Sequence, residues 1–159
     1  MISYRYNLQA SDANQIKDLL DSTGFFYDYD TDVAIELVNM TLQQGETVSG
    51  YYFIVAEEDG KVVGYCNYGH TPCTEGSYDL YWIAVHKNSM NKGIGRDLLI
   101  KTEEAIARLG GTNVWVETAS RKQYEPTRKF YEKNGYDKKA ELPDFYSEGD
   151  NKVIYLKRV

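Results

Sequence analysis

The stretch Met90-Asn91-Lys92-Gly93-Ile94-Gly95-Arg96 carries the clearest chemical signal in the chain. Gly93 and Gly95 allow a backbone path closed to residues with a Cβ, and they fall where a strand pattern gives way to a helical one. Free N–H groups at a helix start, with the peptide dipoles aligned behind them, make a site for a pyrophosphate that needs no side-chain charge. Lys92 and Arg96 would add charge-assisted contacts to outer phosphates, worth about 1 kcal/mol each where solvent screens them. The other reading of the loop is a tight turn that lets helix and strand pack closely. A Walker A loop would end in Gly-Lys-[Ser/Thr], and a dinucleotide fingerprint would place a third glycine where Leu98 stands, so neither applies.

The elements around the loop follow from periodicity. Ile2 to Asn7 alternates as a strand, and Ser11-Asp12 caps a helix through Leu20 whose apolar face is Ile16, Leu19 and Leu20. Gly24 to Tyr29 is aromatic and turn-like, and Val33, Leu37, Met40 and Leu42 suggest a second helix ending near Gly45. Tyr51 to Glu58 and Lys61 to Gly69 read as strands joined by an Asp59-Gly60 hairpin, and Tyr78 to His86 completes an antiparallel meander. Gly93 to Leu109 is a long helix with Ile94, Leu98, Thr102, Ala105, Ile106 and Leu109 on one face, ended by Gly110-Gly111. A helix crossover lays Val114 to Thr118 parallel to the preceding strand. Thr127 to Lys133 is helical, stopped by Asn134-Gly135, and Tyr136 to Phe145 and Lys152 to Lys157 close the chain as strands. The expected fold is mixed α/β: a mostly antiparallel central sheet flanked by helices, with a βαβ step at the glycine loop.

Composition narrows the function classes. The 159 residues are 42% hydrophobic and 26% charged with three prolines, which fits one domain over residues 1–159 and excludes disordered or collagen-like chains. A formal charge of −6 disfavours nucleic acid as a partner. No run of about 18 apolar residues and no leader-like start occur, so no membrane role is expected and the protein is assigned to the cytoplasm. Cys66 and Cys73 have neither Cys-x-x-Cys nor zinc spacing, so no metal is expected and both are read as reduced thiols.

With the elements in this order, the sequence resembles the GNAT superfamily of acyl-CoA-dependent N-acyltransferases. The matching stretches are Leu80-Tyr81-Trp82-Ile83-Ala84-Val85, Lys92-Gly93-Ile94-Gly95, Val116-Glu117 and Phe130-Tyr131-Glu132-Lys133-Asn134-Gly135-Tyr136. The resemblance is specific from Tyr51 to Tyr155 and rests on element order alone before that. It implies acetyl-CoA as cosubstrate, with the backbone of Ile83, Ala84 and Val85 pairing with the pantetheine arm. Asn91, Lys92, Gly93, Ile94, Gly95 and Arg96 would then hold the pyrophosphate. Two positions depart from the family pattern. Met90 stands where the loop usually opens with Gln or Arg, and Tyr124 lies closest to a position where many members carry Asn.

Moving an acetyl group from a thioester to a primary amine by direct attack sets three tasks. An alkylammonium of pKa about 10 must lose a proton, the oxyanion of a tetrahedral intermediate must be stabilised, and the departing thiolate benefits from a proton. The resemblance implies Tyr131 as the proton donor and Asp79 or Glu117 as the base, while backbone amides around Ile83 to Val85 suit the oxyanion. Each also has a bland reading, as a packing tyrosine or a solvated strand-end charge. An imidazole's ordinary pKa of about 6.5 makes His70 and His86 tempting as bases, but His70 ends its strand without a nearby partner in sequence, His86 reads as a rim or strand-end residue, and neither cysteine carries a nucleophile signature.

Phe25-Phe26-Tyr27-Asp28-Tyr29-Asp30 falls where the family places its variable substrate-side helices. With Asp32, its carboxylates could favour a cationic amine, or its rings could simply cap the core. Pro143 to Tyr146 with Gly149-Asp150 either borders the same cleft or is a long hairpin connection. The acceptor is therefore expected to be a small-molecule or peptide amine, and a homodimer is left open. The rival readings are a non-catalytic acyl-CoA sensor or interaction module and, more remotely, a nucleotide-binding switch.

Overall fold

The computed structural model describes residues 1–159. Strand β1 (Ile2–Arg5) stops two residues short of the alternating pattern because Arg5 turns the chain. Its guanidinium donates to the Asn7 carbonyl at 2.6 Å and to the Asp12 carboxylate at 2.8 Å. Helix α1 (Asp12–Thr23) buries Ile16, Leu19 and Leu20 as their spacing predicts. The expected Ser11 cap does not form. Instead the buried Asp12 carboxylate accepts the Gln9 N–H at 2.7 Å and the Arg5 charge, which satisfies a carboxylate that could not otherwise leave water.

Helix α2 (Asp28–Gln44) starts earlier than its apolar residues suggest, with the Tyr27 N–H donating to Asp30 Oδ2 at 3.1 Å. Its buried face is also different. Thr31, Ala34, Val38 and Thr41 turn inward, whereas Val33 and Leu42 are exposed. Small residues permit close packing here, and the Thr41 hydroxyl is satisfied by the Leu37 carbonyl at 2.9 Å, so its burial carries no unpaired donor. A single-turn helix, α3 (Glu46–Ser49), comes next.

Strands β2 (Tyr52–Glu58), β3 (Lys61–His70) and β4 (Ser77–Val85) form the expected antiparallel meander. Asp59 and Gly60 both adopt positive φ, of 52° and 76°, which is why this dipeptide closes the first hairpin. Helix α4 (Ile94–Arg108) crosses to β5 (Asn113–Ala119), parallel to β4. Leu109 falls outside α4 and is exposed. Helix α5 (Glu125–Lys133), β6 (Asp137–Ser147) and β7 (Asp150–Arg158) complete the chain. The seven-stranded sheet has the order β1-β2-β3-β4-β5-β7-β6, and only the β4–β5 pair is parallel.

Each face of the sheet has its own core. One gathers Ile54, Tyr68, Leu80 and Val116 under Leu98 and Ile106 of α4 and Tyr131 of α5. The other packs Phe53, Val55, Tyr65 and Ala84 against α1 and α2. Gly64 lets α4 approach the sheet, since a Cβ there would lie 2.9 Å from Ile94 Cγ2.

Two irregularities in β4 open the sheet near its middle. Its pairing with β5 runs only from Ser77↔Asn113 to Leu80↔Val116, although both strands continue, so Tyr81 to Val85 have no β5 partner. Its pairing with β3 skips Tyr81, a bulge that shifts the register at the point where the two parallel strands part.

Candidate active site

A cleft of about 540 Å³ opens where β4 and β5 separate. Trp82 and Ile83 come from β4, Glu117 to Ala119 from β5, and Tyr131 from α5. Phe25, Phe26, Tyr27, Tyr29 and Asp30 form its wall on the α1–α2 side, and Tyr146 and Asp150 border it from the β6–β7 hairpin. Tyr81, Glu117 and Tyr146 are shared with an adjoining cleft of about 270 Å³ that contains Asp79 and Trp115. Tyr131, Glu117, Ile83 and Tyr124 thus meet in one cleft, with Asp79 next door. Ala84, Val85 and the Asn91–Arg96 loop lie beyond its lining, farther along the free edge of β4.

The loop has the backbone geometry an anion requires. Asn91 and Gly93 adopt φ of 63° and 81°, and Gly93 caps α4. The first helical bond into this cap is donated by the Asp97 N–H to the Gly93 carbonyl at 3.0 Å, leaving the amides of Ile94, Gly95 and Arg96 without an intrahelical acceptor. Arg96 is exposed, and Lys92 reaches Glu58 at 3.3 Å in an exposed pair that a phosphate could displace. Met90 is exposed at the loop's start. A diphosphate at these amides and an extended arm along the unpaired Tyr81–Val85 edge both fit donors that the protein leaves unused.

The two carboxylates differ in environment. Burial raises the Asp79 carboxyl above its ordinary value, and Glu117 pushes it the same way, while a 2.7 Å hydrogen bond from the Thr71 hydroxyl and the Lys152 charge oppose the shift. Glu117 is half-exposed and paired with Lys152 at 2.9 Å. Tyr131 is buried, its hydroxyl has no protein hydrogen-bond partner, and burial holds its pKa far above the usual tyrosine range, so it keeps its proton at neutral pH. Its ring is fixed by Phe130, Tyr136 and Tyr155, at centroid distances of 5.4, 5.6 and 6.1 Å. His86 Nδ1 accepts the Asn88 N–H at 3.1 Å and caps a short 3-10 turn, and Cys66 is buried against Thr102.

Arg121 carries no signal in the sequence, yet it organises one side of the cleft. It lies over the Tyr124 ring at 4.9 Å and the Tyr27 ring at 5.4 Å, donates to the Tyr27 hydroxyl at 3.1 Å, and approaches Asp150 at 3.7 Å. Gln123 donates to the Phe25 carbonyl at 3.1 Å, and the Phe25 and Tyr124 rings meet edge-on at 4.6 Å. The contacts of Arg121 with Tyr27 and of Gln123 with Phe25 join segments more than ninety positions apart, so no local pattern announces them. Trp82 likewise reads in the sequence only as a strand residue; its place in the cleft comes from the neighbouring bulge.

A split parallel strand pair, an amide-lined glycine turn and a buried tyrosine between them define an acyltransferase-like fold and site. The sequence model of the acetyltransferase (GNAT) domain matches residues 49–138, and the chain belongs to that family. An uncharacterized N-acetyltransferase of Methanocaldococcus jannaschii is 31% identical over 106 residues, covering 67% of this chain and 65% of that protein's length. A crystal structure of a candidate GNAT acetyltransferase from Desulfovibrio desulfuricans shares 41% identity, with a TM-score of 0.97 and 99% of each chain covered. A candidate acetyltransferase from Salmonella typhimurium, solved with its cofactor acetyl-CoA, shares the fold at 18% identity and TM-score 0.76, covering 99% of this chain and 94% of that one.

Proposed function

We propose that the protein transfers an acetyl group from acetyl-CoA to a primary amine by direct attack, with Tyr131 as proton donor and Asp79, rather than Glu117, as base. The observation that carries this reading is the buried Tyr131, lining the cleft at the fork between β4 and β5 with a hydroxyl that has no protein partner. Bound acetyl-CoA would supply the activated acyl group as a thioester. The amides of Ile94, Gly95 and Arg96 would bind its diphosphate, with Lys92 and Arg96 adding charge. Ile83, Ala84 and Val85 would pair with its arm through backbone groups that β5 leaves free. Tyr124 would border its reactive end, because it shares the cleft with Ile83 and Tyr131.

Asp79 is the better suited of the two carboxylates. Burial moves its pKa toward the working range of a base, whereas Lys152 neutralises Glu117. Tyr131, neutral, would hold a proton at its hydroxyl for a leaving thiolate, and the strand amides near Ile83 that β5 leaves unpaired would stabilise an oxyanion. An acetyl-CoA-dependent thiol-release screen against diverse amines tests the assignment. Release that requires one amine class supports the enzyme. Saturable CoA binding with no release across the panel would replace it with an acyl-CoA sensor.

A further inference from the structure

The acceptor side of the cleft has unbalanced charge. Glu117 is matched by Lys152 at 2.9 Å, and Asp150 has Arg121 at 3.7 Å. Asp30 and Asp79 make no direct ion pair: Asp30 accepts only the Tyr27 N–H, and Asp79 only the Thr71 hydroxyl, while the Lys152 charge that Asp79 feels is paired with Glu117. These two carboxylates occupy different parts of the joined clefts, Asp79 in the smaller and Asp30 on the wall of the larger. Beside Asp30, the Tyr27 and Tyr29 rings stack at 5.3 Å; Arg121 lies over Tyr27, and Tyr29, exposed at 65%, leaves ring surface open to a ligand. The nearby Tyr81 and Tyr146 hydroxyls are pushed up to about 12 by burial and stay neutral. The Tyr131 hydroxyl, on a residue only 4% exposed, opens into the same space without a partner, an independent sign that the cleft receives a polar ligand.

We infer that the acceptor carries two cationic nitrogens and no carboxylate: one nitrogen reacts near Asp79, and the second is held by Asp30 against the Tyr27–Tyr29 stack. This inference rests on the amine-acetylating reading above and deepens it. A carboxylate on the acceptor would face the net negative charge of this wall, since the only arginine there is already engaged with Asp150 and the Tyr27 hydroxyl. A plain monoamine would leave Asp30 uncompensated and the Tyr29 ring uncovered.

The test compares 1,5-diaminopentane, pentylamine and lysine as acceptors for thiol release from acetyl-CoA, alongside tryptophan-fluorescence titration of the CoA complex with each amine. Trp82 and Trp115 line the two clefts and report binding without turnover. The diamine should exceed pentylamine in kcat/KM by about tenfold, chiefly through KM, the combined reach of one exposed cation–π contact and one screened ion pair. Asp30→Asn, whose amide oxygen can still accept the Tyr27 N–H, should bring that ratio close to one. Pentylamine matching the diamine, lysine surpassing it, or an unchanged ratio in Asp30→Asn would overturn the inference while leaving the transferase intact. Absence of thiol release with any amine, accompanied by diamine binding that Asp30→Asn weakens, would overturn the transferase and keep the dication site. Failure of both release and diamine binding would overturn both.

Discussion

The edge of β4 facing the glycine loop and the wall facing Phe25 to Asp30 meet in one cleft but are built on opposite principles. The first is made of backbone: a strand edge without a partner from Tyr81 to Val85, and three amides at the start of α4. The second is made of side chains delivered from α2, the turn before α5 and the β6–β7 hairpin, latched by Arg121 and Gln123. Backbone donors suit a ligand portion that never varies, because almost any side chains can ride on them. Side-chain walls suit a partner that differs from one family member to the next, because a single substitution rewrites them.

Between the two regions stands Tyr131, and its loss should have the largest effect. Tyr131→Phe is expected to lower kcat by about a hundredfold or more while leaving the CoA dissociation constant within about twofold, checked by steady-state kinetics and calorimetry. Equal losses in both would make Tyr131 a binding residue and blur the contrast. Asp79→Asn should cost about a hundredfold in kcat/KM. Because burial raises the Asp79 pKa, and the base works deprotonated, the wild-type rate should climb with pH through a value above that of an ordinary aspartate. That limb should vanish in the variant's pH profile.

The backbone side is tested at Gly93, where φ is 81° and no neighbour would obstruct a Cβ. Gly93→Val should cost about 1–2 kcal/mol of backbone strain and weaken CoA binding about tenfold, measured by calorimetry, with little change in acceptor KM. Gly95→Ala refines this, since its added Cβ would meet nothing closer than Phe130 at 3.7 Å. Weaker CoA binding with an unchanged Tm would show that the backbone itself is approached there. The smallest effect belongs to the side-chain wall: Arg121→Gln, which frees Tyr27 and Asp150, should raise acceptor KM several-fold without altering CoA affinity, because each contact is partly exposed and screened.

The same division explains what the sequence makes legible. The three-strand meander, the βαβ step and the glycine turn can be read because Asp59-Gly60, the α4 face and Gly93 encode them within a few residues. The inner face of α2 cannot, because apolarity points to Val33 and Leu42 while packing selects Thr31, Ala34, Val38 and Thr41 for their size. The Ser11 cap fails because a buried carboxylate one residue later needs the same turn for its own partners. In the site, the candidate acid Tyr131 and the candidate bases Glu117 and Asp79 come from short stretches, or a strand position beside one, that match the family, and the structure gives each a distinct surrounding. Arg121 and Trp82 cannot be singled out: one acts through contacts across most of the chain, the other through a bulge that moves the register by one residue.

The most direct measurement is a crystal structure of the protein with CoA. The diphosphate is expected on the amides of Ile94, Gly95 and Arg96, the arm along the free edge from Ile83 to Val85, and the sulfur facing the Tyr131 hydroxyl. CoA lodged elsewhere, or a sulfur separated from that hydroxyl by the cleft wall, would contradict the proposed transfer.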